Sequence, residues 1–164
     1  MFRVMKLLHF IGLILFLGSI LSFILVSTLM EGAALEWMVF GRRIISAGTQ
    51  ALTLPGMWLM AISGLLMAFK RYGVRVRFVQ IKALIMLLIV LNAHLLVMPA
   101  VGRATALAIQ SLAAGHLSAD YHAAYLQESI CGAVNVLLTL LAAAVGVWRV
   151  GVRPPQRPAA ACPA

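Results

Sequence analysis

Acidic residues are scarce in this chain: Asp and Glu number four against 13 Lys and Arg, and charged residues make up only 10% of the 164. A soluble domain carries about a quarter of its residues as charges, so an ordinary water-facing surface is excluded. Cysteine is nearly missing as well. Cys131 and Cys162 form no C-x-x-C pair, which leaves no basis for a disulfide framework or a thioredoxin-like redox centre. No G-x-x-x-x-G-K-[ST], H-E-x-x-H or G-x-S-x-G motif occurs, so nothing supports a P-loop ATPase, a zinc protease or a hydrolase. Period-2 alternation and internal repeats are also lacking, which argues against a β-barrel and a solenoid.

What is present is apolar: 63% of the chain is hydrophobic. Four long runs stand out, Val4–Leu29, Ile44–Phe69, Phe78–Met98 and Ser129–Val150. Each reaches the roughly 20 residues that a helix needs to cross a hydrocarbon core about 30 Å thick. They predict an all-α fold, a four-transmembrane-helix bundle forming one domain over residues 1–153. Residues 154–164, with Pro154, Pro155, Pro158 and Pro163, read as a disordered tail. Val4–Leu29 lacks the small-residue cleavage pattern of a signal peptide and is expected to be retained.

Charge placement predicts orientation. Arg3, Lys6, Lys70, Arg71, Arg75, Arg77, Arg149, Arg153 and Arg157 flank the runs on one side, and Arg42, Arg43 and Arg103 on the other with all the acids, Glu31, Glu36, Asp120 and Glu128. The positive-inside rule then puts both termini in the cytoplasm. Two N-terminal bases without a transit signal suit a bacterial inner membrane. Because these bases flank apolar spans rather than forming a patch, nucleic acid is not an expected partner. The expected partners are the lipid bilayer and either other membrane redox proteins or a second copy of the chain.

On the outer side, Glu31–Arg43 carries Trp37 and Phe40 and suits an interfacial helix or an early start of the second span. Gly115 reads as a helix stop and Ser118 as the N-cap of the next helix. Helices three and four are therefore expected to extend beyond the membrane on that side.

Polar groups at membrane depth are costly, and those that remain are candidates for function. His9 shares a helical face with Gly12, Phe16, Ser19 and Phe23, which reads as a packed face, and Gly18 with Ser22 offers a second close contact. This histidine reads as a hydrogen-bonded core residue, a haem or metal ligand, or a proton carrier. His94, before Pro99, is expected near the outer surface, where His122 and His116 are its possible partners. Opposed imidazoles on two helices suit a b-type haem, with Arg42 or Arg43 on its propionates. Copper is the alternative for His94, His122 and His116, with Met98, Met57 or Met60 as thioether ligands. Glu128 shares a face with Asn135, Thr139, Ala142 and Gly146 and should point inward, to orient a histidine, carry protons or pair with Arg103. Lys82 either approaches His9 in depth or snorkels to the headgroups.

The opening string Lys6-Leu-Leu-His9-Phe-Ile-Gly-Leu-Ile-Leu-Phe16-Leu-Gly18 resembles the first helix of the CopD-like superfamily. That group includes CopD, HemJ-type protoporphyrinogen IX oxidase and small four-helix proteins of unknown function. Arg42-Arg43, Leu54-Pro55-Gly56-Met57 and Ser63-Gly64-Leu65 are similar to its second helix, and Phe78-Val-Gln-Ile-Lys82 with His94 to its third. The resemblance covers Met5 to Pro99. It implies that His9 and Lys82 take part in haem binding or porphyrinogen oxidation, and that any enzymatic activity is that of an oxidoreductase. After Gly18 the chain carries Ser19-Ile-Leu-Ser-Phe23 where HemJ has a Pro-Arg run, which points to the uncharacterised branch. The expectation is a haem-b protein engaged in electron transfer or porphyrin-linked redox chemistry. The alternatives are a copper-handling membrane protein and a non-catalytic helical subunit of a membrane complex.

Overall fold

The computed structural model describes residues 2–73 and 75–148, and every element in it is helical. Four helices are long and apolar enough to cross a membrane: α1 (Phe2–Met30), α2 (Leu35–Tyr72), α3 (Arg77–Ala114) and α4 (Ala119–Trp148). The Pro-rich tail lies outside the described residues, as do Arg149, Arg153 and Arg157.

Helix α1 is apolar on every side, the pattern of a span that meets lipid and protein rather than water. Its inward stripe is Gly12, Phe16 and Ser19, while Ile14, Leu21 and Leu25 stay exposed. Helices α1, α2 and α3 are each followed by a glycine with positive φ: Gly32, Gly73 and Gly115. Only Gly adopts that conformation without a Cβ penalty, and at Gly115 it lets the N–H donate back to the Ser111 carbonyl at 2.9 Å. The Ser118 hydroxyl then accepts from the Tyr121 N–H at 3.2 Å, so the stop and the cap read from the sequence both form.

The segment Leu35–Arg43 is not a separate interfacial helix. It is the start of α2, which runs unbroken to Tyr72. Likewise α3 continues past Met98 to Ala114.

Both long helices contain one π turn near the middle, Thr49–Thr53 in α2 and Ala93–Val97 in α3. Each is followed at the same offset by a proline, Pro55 and Pro99. A proline ring inside an α-helix collides with the carbonyl four residues earlier and removes one hydrogen bond. Widening the preceding turn relieves that collision and keeps the helix continuous.

The packing order is α1 on α2, α2 on α3 and α3 on α4, with the closest packing between α1 and Leu54–Tyr72. A Cβ on Gly12 would stand 2.5 Å from the Met60 nitrogen, and one on Gly56 2.7 Å from the Phe16 nitrogen, so backbone meets backbone there. By contrast Gly18 and Ser22 face outward, and nothing lies within 4 Å of a Cβ at Gly18. The close contact expected there belongs to Gly12 and Gly56 instead. Phe16, Met57 and Ile89 fill the centre of the main core, and Val39, Ala104, Ala108, Tyr121 and Ala124 form a second core at the acidic end. Helices α1 and α4 scarcely touch, which leaves a seam between the first and last spans.

Candidate functional site

Two cavities meet at the end of this seam that carries Lys6, Arg71 and Arg77, here termed the basic end. One, of about 100 Å³, lies deeper, between Met60, Met86 and Thr139. The other, of about 390 Å³, opens at the basic end between Lys6, Phe10, Arg71 and Tyr72. His9, Gly64 and Lys82 line both.

The position of His9 follows from the Gly12–Gly56 crossing. It draws α1 close enough to α2 for the His9 Nδ1–H to donate to the Met60 carbonyl at 2.9 Å. A carbonyl only accepts, so the neutral ring carries its proton on Nδ1 and its lone pair on Nε2. That carbonyl lies in the turn just before Gly64, where a Cβ would stand 2.8 Å from His9 Cε1. The ring is therefore seated against bare backbone. Lys82 is seated in the same way: a Cβ on Gly146 would stand 2.8 Å from its Nζ, and its ammonium lies 5.4 Å from the Phe78 ring centroid. Lys82 lines the same two cavities as His9, while its ammonium reaches back toward Phe78 and the basic end, so both readings describe its place. Two more cations rest on aromatic rings near this end, Lys6 on Phe2 at 5.2 Å and Arg71 on Tyr72 at 5.5 Å. The sequence marked Lys6 and Arg71 only as topology signals. Gly64 and Gly146 were visible as small residues without an assigned neighbour.

The outer histidines are arranged differently from expectation. Asn92 faces α4, donating to the Cys131 carbonyl at 2.8 Å and to Asn135 Oδ1 at 2.9 Å. Two residues on, about 200° around the helix, His94 points away from α4 and is exposed, with its ring 5.8 Å from Trp58. His122 is exposed near the start of α4, against Tyr121. With a rise of 1.5 Å per residue, it stands about 13 Å beyond Cys131 toward the acidic end, while His94 stands about 3 Å beyond Asn92. The opposed pair His94–His122 is thus not assembled, and His94 lies near the middle of helix α3. His116 is exposed in the loop, its ring against the Ala114 carbonyl. Among the described residues no group of three or more His, Cys, Asp or Glu side chains could hold a metal ion.

Arg42 does not stand ready for a propionate. It is buried, and both terminal nitrogens donate to the Glu128 carboxylate, one at 3.2 Å and the other closer. Arg43 is exposed, and Arg103, one of the alternatives for Glu128, instead donates to Gln127 at 3.1 Å. The inward direction expected for Glu128 holds, as does the burial of Asn135 and Thr139 on its face.

His9 and Lys82 are therefore gathered at one cavity, with an apolar wall, a fixed imidazole and a rim of cations, whereas Arg42 and His122 share only a recess of about 70 Å³ at the other end. The former arrangement suits a ligand with an apolar body and anionic groups at one edge. Comparison of the chain with protein-family models, with curated proteins and with solved structures finds no match to any of them.

Proposed function

We propose that this is a multi-pass membrane protein that binds a b-type haem, or a porphyrin related to it, at the basic end of the seam, and that it takes part in electron transfer or porphyrin-linked redox chemistry. The carrying observation is the His9 imidazole, fixed through Nδ1 by the Met60 carbonyl so that Nε2 keeps the lone pair, on the wall of a cavity of about 390 Å³ that opens at the basic end. His9 would be the axial ligand, and Lys6 and Arg71 would meet the propionates. Lys82 would stand over the same cavity as a further cation or as a proton donor. The walls between them are aromatic and aliphatic, as a porphyrin face requires. When bound, haem supplies one-electron exchange.

The resemblance to the CopD-like superfamily supports the same two residues, His9 and Lys82. Orientation follows from the bases: the rim of this cavity belongs to the side richer in Lys and Arg, which would be cytoplasmic in a bacterial inner membrane. Copper is a second reading, because the thioethers of Met60 and Met86 line the deeper cavity with His9.

Absorption spectroscopy on protein purified from haem-replete cells, with metal analysis of the same sample, tests the proposal. A Soret band with about one iron per chain is the expected result. Copper without that band would replace haem with the copper reading, and neither metal would overturn both.

A further inference from the structure

Four cavities follow one another along the seam from the acidic end to the basic end, of about 70, 300, 100 and 390 Å³. Their linings run in matching order on both flanking helices: residues 27–30, 16–28, 9–13 and 2–10 of α1, and residues 121–125, 125–135, 139–143 and 143–147 of α4. The first two share Ser27, Ile45 and Tyr125, and the last two share His9, Gly64 and Lys82. The middle two share no lining residue. Between them Phe16, Met57 and Ile89 are fully buried, so the string is interrupted there by a constriction of three apolar side chains.

Polar groups stand on both sides of the constriction. The outer half ends at Asn135, which is 3% exposed and lines the 300 Å³ cavity. The Asn92 amide is fixed by its donation to the Cys131 carbonyl, so it is Oδ1 of Asn135 that meets Asn92. Nδ2 of Asn135 then has no acceptor among the described residues, and it is not sealed as Arg42 Nε is, so its N–H groups face the cavity that Asn135 lines. The inner half begins one turn on, at Thr139, whose hydroxyl donates to the Asn135 carbonyl at 2.7 Å and keeps its lone pairs. A rise of 1.5 Å per residue puts about 6 Å between the two, a gap of about two water molecules. Farther out, each oxygen of the Glu128 carboxylate accepts from Arg42 and retains a further acceptor site, with Tyr125 beside it. An acyl chain filling the outer cavity would leave the Asn135 donors and these acceptor sites unpaired, whereas water satisfies both.

We propose that the seam is a transmembrane proton pathway, made of two water-filled halves that a short water chain from Asn135 to Thr139 joins when Phe16, Met57 and Ile89 part. A proton enters past Tyr125 and Glu128 and leaves through the cavity of Lys82, or runs the reverse way, each water accepting one proton as it releases another. Hydrated ions are held back, because an apolar constriction without a bore excludes them. His9 need not titrate, so the inference stands with its Nε2 ligated or free and does not rest on the haem reading.

The test is proton influx into phosphatidylcholine vesicles holding the full chain and trapped pyranine, driven by a potassium diffusion potential set with valinomycin. Phe16→Ala opens the constriction and should raise the influx at least tenfold over the parent. Ile89→Ala opens the same constriction and serves if the first variant misfolds. Gly132 lines the outer cavity with open space around its missing Cβ, so Gly132→Leu, added to the opened variant, should lower the influx at least tenfold. Influx no faster in either folded opened variant than in the parent, or unchanged by Gly132→Leu, overturns the inference. Potassium flux of equal size without valinomycin also overturns it, because it reveals an unselective leak.

Discussion

The Met60 carbonyl accepts the Nδ1 proton of His9 across the α1–α2 interface, at 2.9 Å and 51 residues apart in sequence. This contact fixes both the tautomer and the direction of the imidazole, and it exists because Gly12 and Gly56 let the two backbones meet a turn away.

Substitutions at that crossing should cost stability. Gly12→Ala places a methyl 2.5 Å from a backbone nitrogen that cannot yield, so a loss of about 1–3 kcal/mol is expected from overpacking. Gly18→Ala, with nothing within 4 Å, should change stability by less than about 0.5 kcal/mol. Reversible unfolding in mixed detergent measures both, and equal costs would refute the assigned crossing.

Gly64 and Gly146 are predicted to respond differently. Gly64→Ala presses on the His9 ring, which is held by its hydrogen bond to Met60, and should reduce ligand affinity at least tenfold while helix content is retained. Gly146→Ala meets only the far end of the flexible Lys82 side chain and should cost less than about 0.5 kcal/mol in stability. Haem titration and circular dichroism on both variants check the pair of expectations.

The ion pair Arg42–Glu128 should behave as a buried one. Glu128→Gln leaves the guanidinium buried without its counter-charge and is expected to cost about 3–5 kcal/mol. The double variant Arg42→Met with Glu128→Leu removes both charges and should recover most of that loss. Arg103→Ala, which removes only an exposed hydrogen bond to Gln127, should stay within about 0.5 kcal/mol of the parent. A double variant as unstable as the single one would show that the pair contributes more than mutual neutralisation.

The hydrogen bonds of Asn92 to Cys131 and Asn135 join α3 to α4 beside the π turn. Asn92→Leu is expected to cost about 0.6 kcal/mol, and at most about 1.7 kcal/mol, as interhelical hydrogen bonds within a membrane do. Unfolding measurements set against the parent chain decide it.

Much of this architecture is legible in the sequence, and the exceptions have physical causes. Apolar length marks the spans, Gly115 and Ser118 mark a helix end and a helix start, and the stripe through His9, Gly12, Phe16 and Ser19 marks a buried face. The π turns leave no such trace. In a span that is apolar on all sides a register shift changes no visible pattern, so the facing of His94 could not be read from spacing. Pro55 and Pro99 were the available signals, because a proline inside a continuous helix demands a local adjustment. The partner of Glu128 was illegible for another reason: Arg42, Arg43 and Arg103 lie at comparable depth, and only the packing of α2 against α3 brings Arg42 inward. Gly18 and Ser22 show the same limit, since small-residue spacing says that a close approach is allowed but not which face a neighbour occupies.

The most direct test of the haem reading is the Soret band of the purified protein compared among single variants of its histidines. The account predicts that His9→Ala abolishes the band while His94→Ala and His122→Ala retain it. A band that survives in His9→Ala, or that disappears in His94→Ala, would contradict the site described.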